Sequence, residues 1–250
     1  MSALLVIGAH LDECEYGAGG ISRKFAKLGW DVVFLNTVGE DYDVTIFGGD
    51  KEREKAFLRQ AMEAAQVLGA RKFVLKYPDK CLPYDFDLVS DIAKVVKDVN
   101  PEVVLIQWAK DHHHDHVRTA KASLEALTEV NRFAGGKPVK LNLKEIYAYE
   151  AGVTQTMDFE PDFYVDITEE IEDVFSSFGK FKTLGEEPLV KEKLVQARYR
   201  GMQSGFGYAE AFKFIGPYAP LGSLLPDLLG KDVKPAGSML YPWGAKDYLG

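Results

Sequence analysis

The sequence is poor in cysteine: its 250 residues include only Cys14 and Cys81. Two cysteines cannot form a disulfide framework, and this scarcity is typical of proteins from the reducing cytoplasm. A chain of this length buries enough apolar surface to fold without disulfides or a structural metal. We therefore expect a cytoplasmic protein that is stabilised mainly by its apolar core.

Long apolar runs and an excess of basic charge are also missing. No run approaches the roughly 20 residues of a membrane-spanning helix. Residues 1–9 are mostly apolar but lack the basic segment of a secretory signal, so they predict a first strand. The chain carries 38 acidic and 30 basic side chains, a net charge of −8. This charge argues against nucleic acid or an anionic membrane as the main partner.

Short apolar runs are present, and they alternate with helix-forming segments. The runs at residues 4–8, 31–36, 72–75 and 102–107 predict strands, and residues 19–28, 51–68 and 85–99 predict helices. Apolar runs without a polar face are typical of parallel strands that are buried on both sides. The alternation predicts an α/β fold, a Rossmann-like, mostly parallel sheet with helices on both faces.

The second half of the chain is less regular. Residues 145–148 and 163–167 predict two further strands, and the stretch from residue 216 onward contains five of the 11 prolines. No repeat or low-complexity linker divides the chain. We therefore expect one domain at residues 1–215 and a small, Pro/Gly-rich C-terminal extension at residues 216–250 that packs on it.

Histidine is scarce but clustered. The chain has five histidines, and four of them lie within residues 112–116. The fifth, His10, follows the first predicted strand, and the cluster follows the fourth. Because ligands bind at the carboxyl ends of parallel strands, which meet at one edge of the sheet, we expect the two segments to lie close together.

The segment around His10 combines an imidazole with carboxylates. Asp12, Glu13 and Glu15 follow it, and imidazole with carboxylate suits zinc or a similar divalent ion. Acidic residues at this position are equally compatible with solvation and with capping of the next helix. We assign Cys14 and Glu15 mainly to packing, to the start of that helix or to support of neighbouring ligands.

The second segment, residues 111–116, has the sequence DHHHDH. A solvated polar loop is the simplest explanation, but the concentration of histidines opposite the His10 segment favours a metal site. Three ligands from two loops, with an open fourth position, are typical of a catalytic zinc site. Zinc lowers the pKa of a bound water to about 7, and hydrolysis then needs a base and an acid.

The glycines that follow the first segment suggest a different function, a dinucleotide-binding loop. Residues 17–20 have the sequence GAGG, which differs from the G-x-G-x-x-G pattern, and the preceding carboxylates would repel a pyrophosphate. We interpret these glycines as positions where the helix approaches the sheet closely.

The two segments resemble the signatures of the PIG-L, or LmbE-like, zinc-dependent de-N-acetylases. AHLDECE at residues 9–15 is similar to the family's A-H-P-D-D-x-E, and DHHHDH is similar to its D-x-H-P-D-H. Residues 64–69, 77–79, 161–168 and 203–212 are also similar to family sequences, so the resemblance covers roughly residues 3–214. It implies hydrolysis of an N-acetyl, or other N-acyl, group on an amino sugar or its conjugate, by a homo-oligomer.

The resemblance also implies a role for each matching residue. His10, Glu13 and His116 would hold zinc or another divalent cation. Asp12 would be the general base for the attacking water. His113 would stabilise the oxyanion and act as the general acid toward the departing amine.

Other positions in the two segments support these residues or depart from the family. The resemblance implies that Asp115 orients a neighbouring histidine, a role that Asp111 would share. The family usually has aspartate where Glu13 stands, and the additional methylene changes where the carboxylate sits. Leu11 and His114 replace the family's two prolines, which loosens both loops.

The predicted helix at residues 51–68 departs from the family as well. Phe57 and Gln60 stand where the family often has an arginine and a glutamate. Arg53 lies one turn before Phe57 on the same helical face. It either substitutes for the missing arginine or is a solvated charge on the helix surface.

Two other functions are compatible with the same residues. Asp111, His112 and His113 spell the triplet of the DHH-type manganese phosphoesterases, although we find no clear G-G-G-H-type segment downstream. A degenerate relative that binds a sugar without turnover is the second alternative, because Glu13 and the replaced prolines alter both signatures.

Overall fold

The computed structural model describes residues 2–216 and 224–236. These residues contain the strands β1 (Ala3–Gly8), β2 (Asp31–Glu40), β3 (Ala70–Pro78), β4 (Val103–Gln107), β5 (Glu145–Tyr149), β6 (Phe163–Asp166), β7 (Ala209–Phe214) and β8 (Val233–Pro235). All eight belong to one sheet, in the order β3-β2-β1-β4-β5-β7-β6-β8. The strand that carries His10 at its end is therefore a neighbour of the strand that precedes the histidine cluster.

The helices fill the connections between the strands. They are α1 (Glu13–Lys27), α2 (Tyr42–Thr45), α3 (Lys51–Val67), α4 (Phe86–Val99), α5 (His114–Thr128), α6 (Val130–Phe133), α7 (Ile171–Phe178), α8 (Glu186–Ser204) and α9 (Leu224–Leu229), with a short 3-10 turn at Gly230–Asp232. In the described part of the chain, no helix combines the length and the apolar character needed to cross a membrane.

The first five strands run parallel, as the apolar runs predict. β1 pairs with β2 and β4, and all six of its residues are buried. α1 and α3 both contact α7 in one layer, whereas α4 and α5 contact each other in a second layer. Right-handed crossovers place these two layers on opposite faces of the sheet. The predicted α/β class, with a mostly parallel sheet between helices, is confirmed.

Two strands are longer than predicted. β2 continues to Glu40 and β3 to Pro78, beyond the apolar runs that end at residues 36 and 75. Their pairing shifts register between Asn36 and Val38 and again before Glu40. Polar and glycine residues occur at such irregularities, so the apolar pattern in the sequence ends before the strand does. They extend both strands toward the predicted ligand-binding edge.

The far side of the sheet is antiparallel. β7 pairs in this way with both β5 and β6, and β8 pairs with β6. β8 comes from the predicted C-terminal extension, so residues 224–236 of that extension pack on the main sheet. Residues 217–223 and 237–250 of the extension lie outside the described residues.

The first helix begins earlier than predicted, at Glu13 instead of residue 19. A Cβ atom at Gly17 would overlap the ring of Tyr149, and one at Gly20 would overlap Ile167. Glycine is therefore required for the close approach of this helix at Gly17 and Gly20, which confirms the interpretation for these two positions, whereas a Cβ at Gly19 would meet only ordinary contacts. Helix propensity does not predict a helix start at Glu13, because these glycines disfavour a helix interior.

α1 is interrupted at Ala18, where the backbone leaves helical geometry (φ −141°). A buried ion pair satisfies both sides of this break. The Glu210 carboxylate accepts the backbone N–H groups of Gly20 and Ile21, which follow the break, at 2.9 Å each. Lys193 Nζ donates to the carbonyl of Tyr16 at 2.6 Å and to Glu210 at 2.8 Å. The pair allows the helix to bend without leaving buried backbone groups unbonded.

Candidate metal and catalytic site

The structure brings the two predicted segments together. His10 follows β1, and His116 lies in the first turn of α5, after the neighbouring strand β4. His116 Nε2 lies 3.2 Å from His10 Nδ1. The ring of His113 lies 4.6 Å from that of His10 and stacks on that of His116 at 4.8 Å, between ring centres. Three imidazoles therefore converge at the edge of the sheet.

Glu13 lies between two of these imidazoles. Its Oε1 atom is 2.7 Å from His10 Nδ1 and is also in contact with His116 Nε2. Its Oε2 atom accepts the backbone N–H groups of Ala9 (2.8 Å) and His10 (2.9 Å) and the amide of Gln107 (2.6 Å). Burial alone would raise the pKa of Glu13, but the adjacent His116 and His10 lower it well below its usual value. The carboxylate is held as an anion facing the histidines.

His116 has a second carboxylate behind it. Its Nδ1 atom lies 3.1 Å from Asp111 Oδ2, and Asp111 Oδ1 accepts the backbone N–H of His113 at 2.7 Å. Burial would lower the pKa of His116, but Glu13 and Asp111 together raise it to about 9. Asp111 thus contacts both the ring of His116 and the backbone of His113.

His113 occupies the N-cap position of α5. Its Nδ1 atom accepts the backbone N–H of Asp115 at 3.2 Å, so the proton of the neutral ring is on Nε2. Burial and the positive charges of His10 and His116 lower the pKa of His113. A neutral imidazole with an Nε2–H group can donate a hydrogen bond to a developing oxyanion.

Asp115 contacts His113 through its backbone, and its carboxylate has other partners. The carboxylate accepts the backbone N–H groups of Lys80 (2.7 Å) and Leu82 (3.2 Å), and its Oδ2 atom lies 3.4 Å from His10 Nε2. Burial would raise the pKa of Asp115, but the hydrogen bond with His10 lowers it. Asp115 therefore ties α5 to the loop after β3 beside His10.

Asp12 stands at the N-cap position of α1, but its side chain does not cap the helix. It lines a cavity together with His10, Glu13 and His113. Burial, followed by the negative charge of Glu13, raises the pKa of Asp12 above its usual value. A carboxylate beside the imidazoles with a raised pKa has the properties of a general base.

Sequence analysis gave no role to Asp79, which belongs to the same site. It is 4% exposed, and its Oδ1 atom lies 3.1 Å from His10 Nε2. Its Oδ2 atom accepts the hydroxyl of Thr45, in the short helix α2. Asp79 follows β3, so its place at the carboxyl edge of a parallel strand was the available signal.

Lys72 was also missed, because a lysine within an apolar run does not reveal its partner. Its side chain is fully buried and lies 2.8 Å from Glu15 Oε1. It also donates to the carbonyl of Leu11, between His10 and Asp12. Lys72 and Glu15 thus hold the loop that presents the first signature, which agrees with the supporting role expected of Glu15.

The donor set fits a divalent cation. In a tetrahedral zinc site with zinc–nitrogen distances of about 2.0–2.1 Å, two ligand nitrogens lie about 3.3 Å apart, close to the 3.2 Å between His10 and His116. Each of these histidines has a carboxylate at its other nitrogen, Asp79 for His10 and Asp111 for His116, both at 3.1 Å. Metal-binding histidines typically have this arrangement.

Two overlapping groups of side chains place their donor atoms within 4.8 Å of one another. One group is His10, His113 and His116, and the other is His10, Asp79, His113 and Asp115. His10 is common to both groups. Among the described residues, the potential metal ligands therefore cluster around His10, which belongs to the first signature.

The cavity above these residues has a volume of about 250 Å³. Apolar side chains line part of it: Tyr42, Ile46, Phe57, Leu184 and Leu189. Arg53 does not line it. Its guanidinium donates to the carbonyl of Thr183 at 2.9 Å and lies over the ring of Phe47. Arg53 therefore supports the 183–184 loop at the cavity wall.

Comparisons with known proteins agree with these observations. Residues 5–127 match the family model described as PIG-L: GlcNAc-PI de-N-acetylase. Diacetylchitobiose deacetylase of Thermococcus kodakarensis is 27% identical over 228 residues, which cover 85% of this chain and 82% of that protein. 4-Oxalmesaconate hydratase of Pseudomonas putida is 27% identical over 173 residues, 66% of this chain and 67% of that protein.

The fold has a solved counterpart. The crystal structure of the 4-carboxy-2-hydroxymuconate hydratase from Pseudomonas putida superposes with a TM-score of 0.75, at 23% identity, and covers 89% of this chain and 99% of that one. The match shows a shared fold. Together with the family match over residues 5–127 and the two signatures, it supports the resemblance seen in the sequence: this chain is similar to the PIG-L family.

Proposed function

We propose that the protein is a metal-dependent hydrolase that removes the N-acetyl group from a small N-acetylated amino sugar or its conjugate. The observation that carries this proposal is the convergence of His10 and His116, each backed by a carboxylate, beside Asp12 and His113 in one cavity. The match of residues 5–127 to the PIG-L family model and the similarity to a diacetylchitobiose deacetylase support it.

His10, Glu13 and His116 would hold the metal, zinc or another divalent cation. When bound there, such an ion supplies Lewis-acid polarisation of the amide carbonyl and lowers the pKa of water. Gln107 and two backbone N–H groups fix the Glu13 carboxylate. Asp111 orients His116. These contacts set the position of the ligands before an ion arrives.

Proton transfer and stabilisation of the oxyanion fall to separate side chains. Asp12 takes a proton from the water whose oxygen attacks the carbonyl carbon. His113 donates its Nε2–H to the oxyanion of the tetrahedral intermediate. As the carbon–nitrogen bond breaks, Asp12 passes the proton it took from water to the departing nitrogen, so that acetate and a free amine leave. The neutral His113 keeps its Nε2–H on the oxyanion, so the proposal gives Asp12 the acid role that the resemblance implies for His113. Asp115 holds His113 in the required tautomer through its backbone N–H.

The cavity favours a small ligand without negative charge. Its volume of about 250 Å³ lies just below the roughly 300–1,000 Å³ typical of pockets for drug-sized ligands, so it suits a group the size of one sugar ring. Its lining has four carboxylates, Asp12, Glu13, Asp79 and Glu192, against three groups that can carry a positive charge, Lys80, His10 and His116. We expect a neutral or cationic sugar to bind more tightly than an acid.

A hydratase is the second candidate, because one relative and one structural neighbour carry that name. The acid-rich lining of the cavity argues against a carboxylated substrate of the kind that the neighbour's name describes. A DHH-type phosphoesterase is not favoured either. His112 of the triplet is exposed, and its backbone N–H donates to the carbonyl of Gln155.

The deciding experiment offers the zinc-loaded protein N-acetyl-D-glucosamine, N,N′-diacetylchitobiose, a phosphodiester and an unsaturated carboxylic acid. We expect equal amounts of acetate and free amine from an acetylated sugar, and loss of this activity when the metal is removed. Water addition to the acid or cleavage of the phosphodiester, without acetate release, would replace the proposal. Sugar binding without turnover or metal would indicate a degenerate site.

We also expect a cytoplasmic homo-oligomer, on the basis of the family resemblance and the cysteine content. Sedimentation of the purified protein tests the oligomeric state, and fractionation of the source cells tests the location. A monomer at micromolar concentration would contradict the expected assembly without affecting the chemistry.

A further inference from the structure

The cavity has a second group of polar side chains that the proposed hydrolysis does not use. Tyr16 comes from α1, and Thr154 and Gln155 come from the loop after β5. Glu192 comes from α8. All four line the same cavity as the histidines. We call them the distal group.

Tyr16 has a buried hydroxyl whose proton has no acceptor in the described structure. The residue is 3% exposed; the backbone N–H of Val153 approaches its oxygen, but the O–H group has no acceptor among residues 2–216 and 224–236. A buried O–H group without an acceptor is unfavourable, because folding has removed its hydrogen bond to water. Burial and the nearby charges of Glu192 and Glu150 raise the pKa of Tyr16 above its usual value, so the hydroxyl keeps its proton and can donate.

The tyrosine cannot move away from the cavity. Its ring packs on Phe178 with ring centres 6.3 Å apart, and Lys193 Nζ lies 5.6 Å from the ring centre. Lys193 is itself held by the carbonyl of Tyr16 and by Glu210. The hydroxyl is therefore fixed at the cavity wall, where a bound ligand can satisfy it.

The other members of the distal group offer mainly acceptors. Glu192 Oε1 accepts the hydroxyl of Thr154 at 3.3 Å. A Cβ atom built on Gly152 would lie 3.6 Å from Glu192 Oε1 and 4.0 Å from Gln155 Oε1, so these two oxygens approach the same point of the wall. A donor, Tyr16, and several oxygen acceptors in a negatively charged setting match the hydroxyl groups of a neutral sugar.

We propose that Tyr16 and Glu192 form a subsite that binds the ring hydroxyls of a neutral sugar. This inference rests on the proposed function for the identity of the amide, but the binding itself does not require turnover. The subsite selects against anionic ligands, because Glu192 would repel a phosphate or carboxylate at this wall.

The test measures ligand binding by NMR titration of the zinc-loaded full chain in an Asp12→Asn background, which prevents hydrolysis during the titration. The ligands are N-acetyl-D-glucosamine, its 6-phosphate and N-acetylethanolamine, which has the amide but no ring. We expect Tyr16→Phe and Glu192→Gln each to weaken binding of N-acetyl-D-glucosamine about five- to tenfold, and to leave N-acetylethanolamine unchanged.

The charge of the ligand provides a readout that a purely structural role would not change. We expect the 6-phosphate to bind more weakly than the neutral sugar, and Glu192→Gln to narrow this difference. Matched controls are Tyr199→Phe, since Tyr199 is 53% exposed on α8, and Glu63→Gln on the surface of α3. Both controls should leave all three dissociation constants within about twofold.

Three results would overturn the subsite: unchanged sugar binding in both variants, an equal loss for N-acetylethanolamine, or no detectable binding of the sugar to the background protein. The outcomes are separable from those of the proposed function. If the wild type releases acetate but the Tyr16→Phe and Glu192→Gln variants bind the sugar as tightly as the background protein, the subsite is refuted and the proposed hydrolase activity stands. If the two substitutions weaken sugar binding but the wild type releases no acetate, the subsite stands and the proposed hydrolase activity is refuted.

Discussion

His10 and His116 are 106 positions apart in the chain, yet His10 Nδ1 and His116 Nε2 lie 3.2 Å apart. The contact exists because β1 and β4 are neighbours in the centre of the sheet, so that the segments following them emerge side by side. The proposed metal site is therefore a consequence of strand order. Its ligands come from two segments that only the complete parallel sheet brings together.

The first prediction concerns Asp12. Asp12→Asn keeps the shape of the side chain but removes its ability to take a proton, so turnover should fall at least about 100-fold. Zinc content should remain at the wild-type level, because Asp12 is not one of the proposed ligands. The measurements are acetate release and metal analysis of the same preparation.

Asp98→Asn, at an exposed position in α4, is the matched control and should keep wild-type activity. Loss of zinc from Asp12→Asn would reassign this residue as a ligand. Undiminished turnover would remove it from the mechanism.

The second prediction concerns Gln107, which sequence analysis treated only as the end of a strand. Its amide donates to Glu13 at 2.6 Å, and its oxygen accepts the N–H of Ala9 at 2.7 Å. Gln107→Met preserves volume but frees the carboxylate, so zinc affinity should fall about 10–100-fold. Competition with a chelator measures the affinity. Gln66→Met, on the exposed face of α3, should have no effect, and equal affinity in both variants would contradict the role given to Gln107.

The third prediction concerns the buried pair of Lys72 and Glu15. Lys72→Met leaves the Glu15 carboxylate buried without its cation, which should lower the free energy of unfolding by about 3–5 kcal/mol. Adding Glu15→Gln removes the unpaired charge and should restore part of that loss. Urea unfolding measures both variants, with Lys76→Met at an exposed position of the same strand as the control. A double variant as unstable as the sum of its single variants would show that the two residues are not coupled.

The fourth prediction uses two glycines of the same helix. A methyl group at Gly17 overlaps the ring of Tyr149, whereas one at Gly19 meets only ordinary contacts at 3.4 Å. Gly17→Ala should therefore lower the free energy of unfolding by about 1–3 kcal/mol, and Gly19→Ala should be neutral or stabilising. Thermal unfolding compares the two. Equal stability would contradict the close approach of α1 to β5.

The sequence allowed the central strands and the site segments to be predicted for one physical reason. Strands buried on both faces, such as β1, are apolar throughout, and parallel strands place their carboxyl ends together. His10 and the histidine cluster follow such strands directly, so their proximity could be inferred without coordinates. The predicted start of α1 was wrong because Gly17 and its neighbouring glycines disfavour an isolated helix. Tertiary packing stabilises the helix at these positions.

The supporting residues could not be predicted in the same way. Asp79 reaches His10 only because β3 extends past an irregularity in its pairing with β2. Lys72 is adjacent to Glu15 through the fold, 57 positions along the chain. Tyr16 and Glu192 meet at the cavity through the packing of α8 against the rest of the domain. Such relationships depend on three-dimensional packing, and of these residues only Asp79 had a sequence signal, its place after a parallel strand.

The most direct test of the metal site is the zinc content of purified protein after removal of free metal. We predict about one zinc ion per chain in the wild type and a content near zero in His10→Ala and His116→Ala. His112→Ala, at the exposed neighbouring histidine, should keep the wild-type content. Wild-type zinc content in His116→Ala, or no binding of any divalent ion by the folded wild type, would contradict the account.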